Sequence, residues 1–376
     1  MDILQNETST FIQKNWKTSG FTGLTDIQHQ MIPEARKGGP LIAEAPTGTG
    51  KTLGYLIPAL ERVVEERPQT QVLIIVPGKE LAMQVHEEVQ KWTVGSGIRA
   101  AVMIGGANVK RQYEKLKKKP HVITGTPGRV NELIKDKKLK VHEVSTLVFD
   151  EADQLFVPDH LDTIDQINKA VPGKEQRIIC SATIPERVVS FAEERFHNIK
   201  TIRVEASTDD LQRVSHLYLL VEKRDKVKTL SKLSYLKSFY GIAFLSDSFQ
   251  VDQVHSKLQH DGNQTASLHG DKGKQGREKA MRLFRQRDAR LLLTTDVASR
   301  GLDVKGVTHV IHFDLANDQR QYMHRAGRTA RAGESGISLS IVTKGELQRL
   351  EQIAQEAAFT LQRAELKYGE LHEWSD

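Results

Sequence analysis

The chain has 376 residues, 38% hydrophobic and 27% charged, which describes a folded globular protein of two ordinary domains and excludes a disordered one. A net charge of +6 and a pI near 9.1 favour a polyanionic partner. The single cysteine, Cys180, excludes an internal disulfide or a cysteine-based zinc site. No apolar run approaches the roughly 18 residues of a membrane span. Met1 to Glu7 lacks the basic start and apolar core of a secretory signal, so a soluble cytoplasmic protein is expected.

Phe11 to Lys17 predicts a short helix ending before Gly20, and Thr25 is placed to cap a helix holding Gln28 and Met31. The run Leu41-Ile42-Ala43 predicts a buried strand. It opens into Glu44-Ala45-Pro46-Thr47-Gly48-Thr49-Gly50-Lys51-Thr52, a glycine loop leading into a helix. Glycines let backbone N–H groups close around phosphate oxygens, and the helix start adds its positive dipole end. Lys51 can reach the outer phosphates and the Thr52 hydroxyl can ligate Mg²⁺. Ala45 stands where such loops usually have their first glycine. This stretch implies a nucleoside triphosphate.

Further apolar runs follow at Val72–Val76, Ala101–Ile104, His121–Thr124, Leu147–Phe149 and Arg177–Cys180, separated by helical patterns such as Leu81–Trp92 and Arg187–Arg195. Short apolar strands alternating with helices predict a parallel sheet covered on both faces. Its ligand belongs at the carboxyl edge. The polar stretch around Glu205–Asp210 is a candidate linker. A second series then begins: His216–Val221, Ile242–Leu245, Thr265–Leu268, Leu291–Thr294, Val307–Phe313 and Ile337–Val342. It has no phosphate loop of its own. Helical spacing runs on from Glu346 to Leu366. The expected division is a first domain over 1–205, a linker over 206–212, a second domain over 213–366 and a short tail over 367–376.

Val148-Phe149-Asp150-Glu151-Ala152-Asp153 places three carboxylates at a strand end. Asp150 can hold Mg²⁺, partly through water, and Glu151 can polarise an attacking water. Strand-end carboxylates are common, and the phosphate loop is what gives these their meaning.

With these residues the chain resembles the DEAD-box RNA helicases, a family named for the letters at 150–153, from about Gly20 to Gly333. The resemblance implies an α/β fold of two tandem RecA-like domains, with parallel sheets flanked by helices and joined by a short linker. ATP and Mg²⁺ are the implied cofactors and RNA the implied partner.

By position, Gln28 matches the adenine-reading glutamine, and Phe21 would stack on the base. Thr47, Gly48, Thr49, Gly50, Lys51 and Thr52 would hold phosphates and metal. The family often has an aromatic residue upstream, where Ile3 lies here. Ser181-Ala182-Thr183 matches the element coupling hydrolysis to strand separation, with hydroxyls expected to bond Asp153 or its neighbours. In the second half, Tyr322-Met323-His324-Arg325-Ala326-Gly327-Arg328-Thr329-Ala330-Arg331 matches the motif carrying arginine fingers, Arg328 and Arg331. If helical throughout, it puts Gln321, His324, Arg328 and Arg331 on one face. Asp303 matches the ribose contact, and His324 would link to the acidic motif.

The implied RNA contacts are Pro77, Lys79, Gly105, Gly106, Thr126, Pro127, Gly128 and Arg129 in the first half. In the second they are Gly270, Asp271, Arg277 and Thr294. Gly78 and Lys79 replace the family's usual threonine and arginine, and Lys274 its usual glutamine. These contacts imply backbone binding without sequence readout. The segment Lys110–Lys119 is the densest run of positive charge, either a solvated helix or an auxiliary RNA face.

The implied activity is an RNA-dependent ATPase, acting as a monomer. It would locally unwind short duplexes or remodel RNA–protein complexes, with ribosomal precursor particles the expected target. An ATP-gated RNA clamp or annealing chaperone stays open as the alternative, and a DNA translocase fits the motifs less well.

Overall fold

The computed structural model describes residues 8–46, 48–173, 175–205, 213–299, 304–330, 334–367 and 369–374. Thr47, Asp303, Arg331, Ile3 and the expected linker 206–212 lie outside them. The chain divides into two compact units, 1–205 and 206–376.

The first unit holds strands β1 (Leu41–Glu44), β2 (Val72–Ile75), β3 (Ala100–Met103), β4 (Val122–Gly125), β5 (Thr146–Asp150), β6 (Gln176–Ser181) and β7 (Lys200–Arg203). All pair in parallel, in the order β3-β4-β2-β5-β6-β1-β7. Alternate residues of one strand fall into different cores: Leu41 and Ala43 into one, Ile42 into the other, and likewise Ile74 against Leu73 and Ile75. Both faces are therefore buried, as continuous apolar strands require. Cys180 is a fully buried part of the first core, and burial pushes its thiol well up.

Nine helices cover this sheet among the described residues: α1 (Thr10–Ser19), α2 (Asp26–Arg36), α3 (Lys51–Glu61), α4 (Lys79–Trp92), α5 (Val109–Lys117), α6 (Pro127–Lys135), α7 (Ala152–Leu155), α8 (Pro158–Ala170) and α9 (Glu186–Glu193). Gly20 ends α1 at φ 77, a left-handed position that glycine adopts without steric cost. Thr25 starts α2 with a capping box in which Gln28 is the reciprocal partner.

The second unit holds β8 (Val214–Leu220), β9 (Gly241–Phe244), β10 (Thr265–Leu268), β11 (Leu291–Thr294), β12 (His309–His312), β13 (Gly336–Val342), β14 (Leu361–Lys367) and β15 (Glu370–Glu373). Their order is β10-β11-β9-β12-β13-β8-β14-β15, parallel except for the antiparallel β14–β15 pair. Its helices are α10 (Lys226–Ser234), α11 (Ser248–His260), α12 (Gly273–Arg285), α13 (Asp296–Ser299), α14 (Gln319–Ala326) and α15 (Lys344–Glu356).

The helical expectation through Leu366 is corrected here. α15 stops at Glu356, Ala358 turns left-handed (φ 56), and the chain returns as β14 against β8. Residues 370–373, expected to be tail, form β15 and extend the same sheet. β7 was also missed. Lys200, Thr201 and Arg203 are exposed and only Ile202 is buried, the pattern of a polar edge strand.

Candidate functional site

β1 and β6 run side by side, so the phosphate loop and Ser181 leave the sheet at the same carboxyl edge. β5 pairs with β6 and brings Asp150 there too. Gly48 (φ 88) and Gly50 (φ 91) take left-handed conformations that a side chain would strain. A Cβ on Gly50 would also come within 2.3 Å of Gln28 Nε2. The loop is tied to α2 by two bonds. The Thr25 hydroxyl donates to the Thr49 carbonyl (2.6 Å), and Gln28 Nε2 donates to the Gly50 carbonyl (3.1 Å). Gln28 Oε1 accepts from the Thr25 N–H (3.0 Å). The adenine-reading candidate is thus buried and joined to the phosphate loop.

Lys51 is buried at the start of α3, and its ammonium donates to the carbonyls of Ala45 and Pro46. Thr49 Oγ1 donates to the Pro46 carbonyl as well (2.7 Å). Thr52 follows on the same helix turn, half-buried. Phe21 is 47% exposed and leans on Trp16 (5.3 Å between ring centroids) and Trp92 (6.4 Å, nearly parallel).

Asp150 is buried, with Oδ2 accepting from the Tyr55 hydroxyl (2.9 Å) and Oδ1 from the Glu151 N–H (2.9 Å). Burial first, then the neighbouring Glu151 charge, push its carboxyl up to about 6, against the opposing pull of Lys51 and Tyr55. Glu151 has a left-handed backbone (φ 55), and its Oε2 has no hydrogen-bond partner among the described residues. Two adjacent carboxylates, one crowded by burial and the other with an unpartnered oxygen, fit a divalent cation or its bound water. The Ser181 hydroxyl donates to Asp153 Oδ1 (2.8 Å), and Arg187 Nη2 donates to the Asp153 carbonyl (2.8 Å). Thr183 Oγ1 has no partner among the described residues.

Tyr55 was missed by sequence reasoning. Its signal is a hydroxyl on the buried face of α3, one turn beyond Lys51, where a phenol needs a polar partner.

The first unit's glycine turns gather at one place. β3 and β4 are neighbours, so Gly105-Gly106 and Thr126-Pro127-Gly128-Arg129 follow adjacent strand ends. The Gly105 N–H donates to Thr126 Oγ1 (3.4 Å), and a Cβ on Gly106 would meet Lys79 Nζ at 2.7 Å. Pro77 is half-buried just before Lys79. The Arg129 side chain is 9% exposed beside Glu132 (3.0 Å), and its Nη1 has no hydrogen-bond partner among the described residues. A nearly buried guanidinium with an open donor suits a phosphate oxygen.

In the second unit α14 ends at Ala326, so Arg328 lies in the following turn. The expected helical face therefore holds for Gln321 and His324 but does not extend to Arg328. Asp296, also missed, organises this region. It takes a two-pronged ion pair from Arg325 (2.7 Å at each oxygen) and a bond from Gln321 Nε2 (2.7 Å). Gly270 and Asp271 are exposed on a short turn after β10, and Arg277 Nη2 donates to the Ala298 carbonyl (3.3 Å). Thr294 is fully buried, its hydroxyl donating to the Thr295 carbonyl (3.2 Å), so it presents no hydroxyl to solvent.

Comparison with known proteins agrees with this arrangement. Residues 25–191 match the DEAD/DEAH box helicase family and residues 212–333 the helicase conserved C-terminal domain. The chain is 43% identical over 362 residues to the probable ATP-dependent RNA helicase YfmL of Bacillus subtilis, covering 96% of each chain. It is 42% identical over 359 residues to the DEAD-box ATP-dependent RNA helicase CshC of Bacillus cereus, covering 96% of this chain and 92% of that one. Among solved structures it is similar to S. cerevisiae Dbp5 bound to RNA and ADP BeF3, with TM-score 0.85, 27% identity and coverage of 95% and 93%. A DEAD box protein from the hyperthermophile Methanococcus jannaschii gives TM-score 0.59 at 30% identity, covering 96% and 98%. Its two α/β units are RecA-like, and the chain belongs to the DEAD-box family of ATP-dependent RNA helicases.

Proposed function

We propose that Lys51 and Thr52 hold the ATP phosphates and Mg²⁺, that Asp150 binds the metal's water shell, and that Glu151 orients the attacking water. The observation that carries this is the Tyr55–Asp150 bond, which fastens the helix beginning at Lys51 to the strand ending in the carboxylates. Phosphate and water groups are thereby held in one frame, as in-line attack requires. Mg²⁺, when bound, supplies positive charge to the outer phosphates. Gln28 reads adenine, and Phe21 supports the base. Arg328 and Arg331 add charge to the γ-phosphate in the transition state, which makes hydrolysis conditional on RNA; such fingers contribute roughly a thousand- to hundred-thousand-fold in rate.

Lys79, Gly105, Gly106 and Thr126–Arg129 take the RNA backbone in the first unit, and Gly270, Asp271 and Arg277 in the second. The product is local separation of short duplexes, by a monomer in the cytoplasm. Ribosomal precursor particles are the proposed target. Among the described residues no helix is long and apolar enough to cross a membrane.

Phosphate release from purified protein, with and without RNA, tests the mechanism. RNA stimulation should vanish in Glu151→Gln and in Arg328→Ala; stimulation that survives either substitution refutes it. Sequencing RNA crosslinked in cells tests the target, which is wrong if precursor ribosomal RNA is not enriched.

A further inference from the structure

We propose that α5 and the end of α6 form an auxiliary phosphodiester-binding strip, carrying RNA beyond the turn at Gly105 and Gly106. This rests on the RNA reading above. Residues 109–119 hold six cationic side chains and one acid, Glu114, which leaves five of the chain's net six positive charges on one short helix and its end. The end of α6 adds Lys135, Lys137, Lys138 and Lys140, all exposed. Lys138 Nζ lies 5.7 Å from the Tyr113 ring centroid, so the two lysine groups form one surface.

A solvated helix face usually intersperses charges of both signs. Here the i,i+4 neighbours Arg111 and Lys115 carry like charge, which destabilises a helix. Among the described residues these cations form one ion pair, Lys117 with Glu114. Lys119 (φ 52) and Lys137 (φ 56) also occupy left-handed positions just past their helices, where glycine is the favoured residue. The chain thus keeps lysine at two places where backbone energetics prefer something else.

The strip is held rigidly and joins the proposed RNA turns. α5 follows Gly105-Gly106 on the sheet's edge strand. Gln112 Nε2 donates to the Ile104 carbonyl (2.9 Å), fixing the helix beside the glycine turn. Asn108 caps its first turn by accepting from the Arg111 N–H (3.2 Å). At the far end the Arg99 guanidinium donates to the carbonyls of Lys118 (3.1 Å) and Lys119 (3.2 Å). Nine residues of helix extend the cationic path by about 14 Å. Lysine ammoniums are compact point charges, so the strip grips phosphates without reading bases.

The test uses the full chain and two variants, Lys110→Gln/Arg111→Gln/Lys115→Gln and Lys137→Gln/Lys138→Gln/Lys140→Gln, each with an unchanged thermal midpoint. Affinity is measured across salt concentrations for a single-stranded RNA of about eight nucleotides, and for the same RNA extended by about a dozen more. The short RNA should bind all three proteins equally. The long RNA should bind each variant about tenfold more weakly, with a salt slope smaller by about 2, near 0.7 for each phosphate left without its cation. Equal slopes for the long RNA in wild type and both variants overturn the strip alone. Competition by poly-glutamate with those slopes equal assigns the surface to an acidic protein partner and also overturns it. Failure of the wild-type chain to bind the short RNA overturns the underlying RNA reading and, with it, the strip.

Discussion

Glu151 sits in a left-handed conformation (φ 55) immediately after β5. For a side-chain-bearing residue this costs about 1–2 kcal/mol, and strain of this kind clusters where function needs an exact direction. Glycine adopts the same backbone freely. Glu151→Gly should therefore match or exceed the wild-type unfolding free energy, by up to about 1 kcal/mol, while RNA-stimulated hydrolysis is lost. A stability loss in denaturant titration would show that the carboxylate supports the fold. Tyr55 separates a second pair of effects. The folded-state carboxyl of Asp150, near 6, lies above its ordinary value of 3.8. The resulting stability is fully present below the ordinary value and is lost as pH rises through 6, a change of about 3 kcal/mol. The Tyr55 hydroxyl favours the ionised form. Tyr55→Phe should move the acid limb of the ATPase profile to higher pH and destabilise the chain more at pH 8 than at pH 5. An unmoved limb would mean that Asp150 does not govern it.

At the scale of elements, the second unit rests on a stack of rings beneath α14. His312 and Tyr322 lie 4.2 Å apart between centroids, Tyr322 and Phe359 4.8 Å, and Phe359 and His216 4.0 Å. The Tyr322 hydroxyl meets His216 Nδ1 (3.1 Å) and accepts from Ser338 Oγ (3.2 Å). Burial holds His216 down to about 4 and His312 well below 6.5. His309, against Phe239, is also held to about 4. These folded-state values are depressed, so their stability is present above 6.5 and is lost as pH falls toward 4. His216 and His309 each contribute about 3 kcal/mol at full loss. Thermal midpoints should drop steeply between pH 6.5 and 4.5, and His216→Phe should flatten part of that drop; a parallel curve for the variant would remove His216 from the cause.

The same scale shows what could be read in advance. The apolar strands were legible because a parallel strand covered on both faces is a continuous apolar run, as in Val72–Ile75 and Leu291–Thr294. β7, β14 and β15 were not, because polar residues interrupt them: Ile202 is the one buried residue of β7 and Ala364 the one buried residue of β14. Motif spacing brought Lys51, Asp150, Glu151 and Ser181 to one sheet edge. It could not show Tyr55 or Asp296, whose partners lie 95 and 29 residues away along the chain. Nor could spacing show that Thr294 is buried, since inward and outward residues of a fully covered strand look alike.

At the scale of the whole molecule, each unit carries its own sheet and its own apolar cores. Calorimetry should accordingly resolve two unfolding transitions. Phosphate loop, carboxylates and Gln28 all belong to the first unit, so ADP should raise that unit's transition, by about 2.7 kcal/mol at a hundredfold excess over Kd. A shift of both transitions by ADP alone would show that the second unit binds nucleotide without RNA.

The ammonium of Lys51 already has partners in its own loop, the carbonyls of Ala45 and Pro46. Capturing a triphosphate is therefore an exchange rather than a simple filling of space. The loop must first surrender these two acceptors, and the measured Kd exceeds the intrinsic one by the inverse of the fraction of molecules that have done so. Nucleotide association then has a ceiling set by loop opening, at which adding more ATP no longer speeds it. Because Gln28 shares a bond with Gly50 in that same loop, recognition of the base is tied to the movement that sets the ceiling.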